Sequence, residues 1–274
     1  MRDWTPFADL NAVLGDFVES TQQILGDDFV GAYLQGSFAL ESADEESDVD
    51  FIVATAREVS DAQRNALQAM HQRLYALATP WAQHLEGSYV PRDVLRRVDP
   101  TRRPLLYLDN GATELELDNH CNTAVARWLL REHGVVLGGP DPRELVEVVT
   151  SDRLRDEARQ TLAEYAAWAF ESEERFELAC GGAPAMSRWK QPYLVLTLCR
   201  ILNTIADGHV APKWRAGEWA VTALDSEWAP LIRQALDDRA DPWGRVHKPA
   251  DRAGIDRTLA FAAYAERVGA TLGA

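Results

Sequence analysis

FVGAYLQGSFALESADEESDVDFIVAT, residues 29–55, decides the fold of this 274-residue chain. FVGAYL (29–34) is a short apolar and aromatic run that stops at Gly36-Ser37, and DFIVAT (50–55) is a second, with a polar stretch between them. Runs of this length, bounded by Gly, Ser and Asp, are strands, and the spacing predicts two strands joined by a short turn or helix. Upstream, Leu10, Val13, Leu14, Phe17, Val18, Thr21 and Leu25 recur at helical spacing, which predicts an amphipathic helix over about 9–25. Downstream, helical periodicity covers about 60–78, and HLEGSYV (84–90) reads as a third strand with Glu86 on one face. Leu105 to Leu108 beside Asn110-Gly111 suggest a turn or hairpin, and Asn119 to His133 a further helix. A mixed sheet with helices packed on it is the economical arrangement.

VVLGGPDPREL (135–145) carries the densest Gly and Pro punctuation, so a domain boundary is expected at 140–150, dividing the chain into 1–148 and 149–274. Beyond it the apolar periodicity is helical at 153–179, 192–206, 215–224, 228–239 and 251–271, which predicts an all-α bundle. Pro192 suits the first turn of one of these helices and Gly208 its end, with Leu194, Val195, Leu198, Ile201, Leu202 and Ile205 inward. The fold class is therefore α/β, a mixed sheet flanked by helices followed by a helical bundle. Trp128, Trp168, Trp189, Trp214, Trp219 and Trp228 lie on or beside helical patterns, where core packing is the default.

The formal net charge of −15 argues against a nucleic-acid partner, which needs clustered Lys and Arg, and permits a cationic one. The N-terminus lacks a secretory signal pattern and no apolar run approaches membrane-spanning length, so a cytoplasmic protein is expected. Cys121, Cys180 and Cys199 form no C-x-x-C pair and read as ordinary thiols, and the six histidines form neither H-x-x-x-H nor H-E-x-x-H, so a zinc site is not expected. No G-x-x-x-x-G-K-[ST] phosphate loop is present.

The chemistry concentrates in the opening stretch. A Gly36-Ser37 step leaving a strand exposes backbone N–H groups and a hydroxyl suited to a triphosphate. Asp48 and Asp50 alternate along an extended chain, so they share a face roughly 7 Å apart, a spacing that suits magnesium. Glu86 on the 84–90 strand is the candidate third carboxylate, as metal ligand, general base, or both. Asp-x-Asp alone commonly marks a solvated turn. The ordered set of strand, Gly-Ser, polar turn, Ser47-Asp48-x-Asp50 and apolar strand is far more specific.

This set resembles the nucleotidyltransferase superfamily and, more narrowly, the aminoglycoside adenylyltransferases that modify streptomycin and spectinomycin. VLTLCRILNTIADGHVAPKWRAGEWA (195–220) looks like the C-terminal helix and following loop of the same family, including the Ala211-Pro212-Lys213 step. The resemblance implies that Asp48 and Asp50 bind Mg2+, that Glu86 is the catalytic base, and that Ser37, Arg200 and Lys213 contact the phosphates of ATP; Gly36 beside those phosphates and Glu86 as a further Mg2+ ligand are expected from the residue chemistry above. The expected enzyme is a monomer that passes AMP from ATP to a hydroxyl of a small cationic acceptor, with the helical domain completing the ATP and acceptor cleft. One departure concerns the acceptor: streptomycin-modifying members carry an aromatic and acidic residues before that helix, whereas LACGGAPAMSRWKQP (178–192) has no Asp or Glu. Glu171, Glu173, Glu174 and Glu177 lie just upstream, either as acceptor contacts or as a solvated helix face. The rivals are a nucleotidyltransferase of toxin and antitoxin type that modifies a protein, and a nucleotide sensor without catalysis.

Overall fold

The computed structural model describes residues 3–45, 47–180, 186–238 and 250–272, with backbone alone for 172–180. It divides into two compact units, Met1–Val149 and Thr150–Ala274. Among its described residues the first carries six strands, β1 (Phe29–Leu34), β2 (Val49–Thr55), β3 (Leu85–Pro91), β4 (Leu105–Leu108), β5 (Leu115–Asp118) and β6 (Val135–Gly138). They lie in the order β5-β4-β3-β2-β1-β6, with β2 and β3 parallel and the other neighbours antiparallel. The sheet is mixed, as the sequence predicts.

Alternation along the strands builds two cores. On one face Val49, Phe51 and Val53 of β2 and Leu85 and Tyr89 of β3 pack with Leu14 and Phe17 of helix α1 (Ala8–Leu25) and Leu67, Met70 and Leu74 of helix α3 (Asp61–Tyr75). A capping box at Ser60 and Gln63 fixes where α3 begins. On the other face Tyr33, Ile52, Ala54, Val90 and Tyr107 pack with Cys121 and with Leu130 of helix α6 (Ala124–His133). Short helices α2 (Gly36–Ala39), α4 (Pro80–Gln83), α5 (Arg92–Leu95) and α7 (Pro142–Leu145) fill the connections.

Two expectations need correction, and one stretch without an assignment gains an element. The helix expected from Asn119 starts at Ala124, because the Thr123 side chain accepts from the Ala126 N–H at 3.0 Å, while Asn122 caps a turn by donating its backbone N–H to Asn119. Val135–Gly138, to which the sequence pattern assigns no element, is a strand antiparallel to β1. Trp168 and Trp214 are about two-fifths exposed, so the helical tryptophans are not uniformly core residues; Trp228 is buried.

The second unit is helical: α8 (Ser151–Cys180), α9 (Lys190–Asp207), α10 (Lys213–Ala223), α11 (Ala229–Asp237) and α12 (Arg252–Gly269). Among the described residues α9 is packed by the other four helices, with all six residues expected inward fully or nearly fully buried. It ends at Gly208 in the left-handed conformation (φ 74°), which places the Gly208 N–H on the Thr204 carbonyl. Among the described residues no helix is long and apolar enough to cross a membrane. Cys121 and Cys199 are buried and free, and burial raises both thiols, to about 12 at Cys199; Cys180 and His247 lie outside the described side chains.

One buried group makes the first core sensitive to acid. His71 is enclosed between Phe17, Phe51 and Tyr89, with Nε2 2.8 Å from the Tyr89 hydroxyl, and burial pushes its pKa down to about 3. The unfolded chain binds a proton at this residue below about pH 6.5 and the folded chain does not until about pH 3, so folding stability falls as pH drops through that window. The slope from this one residue reaches about 1.4 kcal/mol per pH unit. Urea midpoints between pH 7.5 and 4.5 should therefore decline less steeply in His71→Phe than in the wild type; parallel slopes would contradict the burial of a neutral imidazole.

Candidate active site

The site is built where β1, β2 and β3 meet. β1 ends at Leu34, and Gln35 donates its backbone N–H to the Asp50 carbonyl at 2.9 Å, so the chain leaves the sheet beside Asp50. Gly36 then takes φ 61°. A Cβ at this position would sit 1.8 Å from Asp50 Oδ2, so any other residue would meet a left-handed backbone that favours glycine and would have to displace the carboxylate. The return path is a polar turn: Ser42 donates its N–H to the Ser37 carbonyl (2.9 Å), and the Ser47 hydroxyl donates to Asp44 Oδ1 (2.8 Å) while accepting from the Asp44 N–H (3.0 Å). Asp48 follows one residue ahead of β2, at the strand's entry.

The parallel pairing then does the positioning. Asp50 is the register partner of Glu86, and Val49 N–H donates to the His84 carbonyl at 2.8 Å, so the entries of β2 and β3 are tied side by side. Asp50 and Glu86 fall on the face of Ile52, Ser88 and Tyr107. Burial raises the Glu86 carboxyl above its ordinary range, the exposed His120 and the Tyr107 hydroxyl pull it back, and Asp48 and Asp109 push it up again. The four acids Asp48, Asp50, Glu86 and Asp109 thus gather at one end of three strands.

Asp109 is not among the residues that the sequence singles out for the site, and neither are Tyr107, His120 and Asn110, which complete this end. The Tyr107 hydroxyl lies 2.7 Å from Glu86 Oε1 and 3.0 Å from Asp109 Oδ1. His120 Nε2 is 3.3 Å from the same Glu86 oxygen. Asn110 Nδ2 donates to Asp48 Oδ1 at 2.6 Å, and its carbonyl lies 2.9 Å from His84 Nδ1. The only sequence signal for them is the parity of Tyr107 within LLYL and the Asn110-Gly111 turn.

The expected phosphate contacts from the second half lie in the helical unit. Arg200 is half-buried on α9, and Lys213 is the first residue of α10 rather than a loop lysine, with Nζ 4.1 Å over the Tyr193 ring. Glu171 is exposed at the end of the described part of α8, whereas Glu173, Glu174 and Glu177 lie outside the described side chains.

Among the described residues no group of three or more His, Cys, Asp or Glu forms a ready-made metal site. That is compatible with magnesium, which is commonly held by one or two carboxylates together with substrate phosphates and water rather than by an all-protein cage. The Gly36 backbone pressed against Asp50, with Asp48 two residues away, fits a cation that arrives with a polyphosphate.

Residues 179–254 match the family described as aminoglycoside adenylyltransferase, C-terminal domain. Along most of its length the chain is similar to spectinomycin 9-adenylyltransferase of Campylobacter jejuni (22% identical over 245 residues, 85% of this chain and 88% of the relative). It is also similar to the aminoglycoside (3'')(9) adenylyltransferase of Shigella flexneri (23% over 256 residues, 89% and 91%). The crystal structure of spectinomycin adenyltransferase AAD(9) from Enterococcus faecialis with ATP and spectinomycin matches with a TM-score of 0.67 at 14% identity, covering 94% of this chain and 99% of that one. The two chains therefore share a fold.

The contact between Gly36 and Asp50 gives a direct test. Gly36→Ala should cost about 1–2 kcal/mol for the left-handed backbone alone, and more for displacing the carboxylate. Chemical denaturation that shows the variant as stable as the wild type would contradict the close approach.

Proposed function

We propose that this chain is a magnesium-dependent adenylyltransferase that moves AMP from ATP to a hydroxyl of an aminoglycoside-type antibiotic, such as streptomycin or spectinomycin, and releases pyrophosphate. The observation that carries the reading is the register pairing of Asp50 with Glu86 beside Gly36, in a chain similar over most of its length to enzymes named for this reaction.

In this reading Glu86 is the general base. Its carboxylate takes the proton from the acceptor hydroxyl, the oxygen attacks the α-phosphorus in line, and the bond from that phosphorus to the pyrophosphate oxygen breaks. Burial makes Glu86 a stronger base than an exposed carboxylate, so the rate falls as pH drops through its raised pKa. Ser37 and the Gly36 backbone cradle the phosphates, and Arg200 and Lys213 supply positive charge to the departing pyrophosphate. Magnesium, held by Asp48 and Asp50 with Glu86 beside them, would neutralise charge on the triphosphate. The −15 net charge favours a cationic acceptor, and the reaction is assigned to the cytoplasm and to a monomer.

Pyrophosphate release with ATP, magnesium and a panel holding streptomycin, spectinomycin and other aminoglycosides should reveal at least one acceptor. Asp50→Ala should abolish turnover, and Glu86→Gln should lower kcat by at least a hundredfold while ATP binding is retained. Label transferred from ATP to a protein band in cell lysate, with no small-molecule product, would overturn the acceptor assignment, and full activity in either variant would overturn the residue roles.

A further inference from the structure

We infer that Asn110 and Tyr107, from the end of β4 and the turn after it, are positioning residues for the acidic site: Asn110 sets the Asp48 carboxylate and Tyr107 sets Glu86. The inference rests on the adenylyl-transfer reading and deepens it.

The Asn110 amide is used at both ends. Nδ2 donates to Asp48 Oδ1 at 2.6 Å and Oδ1 faces His84 Nδ1 at 2.9 Å. A flipped amide would set two acceptors, the amide oxygen and a carboxylate oxygen, against each other, so the amide orientation follows from the carboxylate and His84 carries its proton on Nδ1. His84 sits one residue before β3 and Asp48 one residue before β2, and their backbones are already joined through the Val49 N–H. Asn110 is therefore a side-chain clasp across the two strand entries, and it fixes which way Asp48 presents its second oxygen.

Tyr107 works on the neighbouring acid. Its single proton lies within reach of two carboxylates, with Glu86 the nearer at 2.7 Å against 3.0 Å for Asp109. A phenol keeps its proton at neutral pH, so the hydroxyl is the donor and the carboxylate the acceptor. The contacts from Tyr107 and His120 both fall on Glu86 Oε1. One oxygen of the base is thereby anchored while Oε2 serves as the oxygen that takes the acceptor's proton. Outer partners of this kind hold reacting carboxylates within the narrow geometry that catalysis requires, where a displacement of about 1 Å costs on the order of a hundredfold in rate.

The test uses the full chain with Tyr107→Phe, Asn110→Ala and His84→Ala. Steady-state kinetics with an acceptor that the wild type uses should show Tyr107→Phe with kcat lowered at least tenfold and KM for ATP within twofold, at an unchanged melting temperature. A merely structural role would move the melting temperature and both constants together. Calorimetry of ATP binding with and without magnesium should show the magnesium-dependent gain in affinity reduced at least fivefold in Asn110→Ala, with magnesium-free affinity within twofold of wild type. His84→Ala, linked to Asp48 through Asn110, should reproduce part of that loss and stands in if Asn110→Ala does not fold. Wild-type kcat in Tyr107→Phe, a wild-type magnesium response in Asn110→Ala, or a wild-type affinity that magnesium leaves unchanged would overturn the inference. If the wild type releases no pyrophosphate with any acceptor, the adenylyl-transfer reading falls, and the calorimetric comparison alone then decides for or against the clasp.

Discussion

The parallel pairing of β2 with β3 is the constraint on which the rest of the first unit depends. Its register sets Asp50 opposite Glu86, and both strands are buried on both faces, with Phe51 and Val53 toward one core and Ile52 and Ala54 toward the other. A slip of one residue would drive an acid into the core of α1 and α3 and turn Phe51 toward the site, so the cost of misregister falls on the hydrophobic packing rather than on the acids themselves. The site therefore has a defined geometry at a place where like charges oppose one another, because the apolar residues between and beyond those charges hold the strands.

Around this pair Glu86 is enclosed despite its charge, and Gly36 lets the strand exit lie against Asp50 in a left-handed backbone that glycine adopts without strain. Both features concentrate at one end of the sheet. The helical unit is built differently, around an α9 buried almost all round, and its Arg200 and Lys213 are presented by regular helices.

Much of this was legible in the sequence because the signals were local. β1 is an apolar run closed by Gly36-Ser37, β2 follows directly on Asp48-x-Asp50, and α9 is bracketed by Pro192 and Gly208. What escaped depended on partners distant in the chain. β6 is four residues among Gly and Pro, and it is a strand only because β1 offers a free edge. Thr123 starts α6 through a cap that periodicity does not register, so the apolar pattern extends beyond the true start of the helix, Ala124. Tyr107 and Asn110 meet Glu86 and Asp48 across 21 and 62 residues of chain, and no spacing rule connects them. Trp168 and Trp214 show the limit of the opposite inference, since a helical pattern locates a tryptophan on a helix without saying which face carries it.

The central claim is that a triphosphate and its cation gather at the shared end of β2 and β3. A crystal structure of the full chain grown with ATP and manganese, read by anomalous scattering, tests it most directly. The account predicts a manganese peak in contact with the carboxylates of Asp48 and Asp50, the phosphates against Gly36 and Ser37, and Glu86 facing the α-phosphorus. Nucleotide and metal bound together away from this face would contradict it.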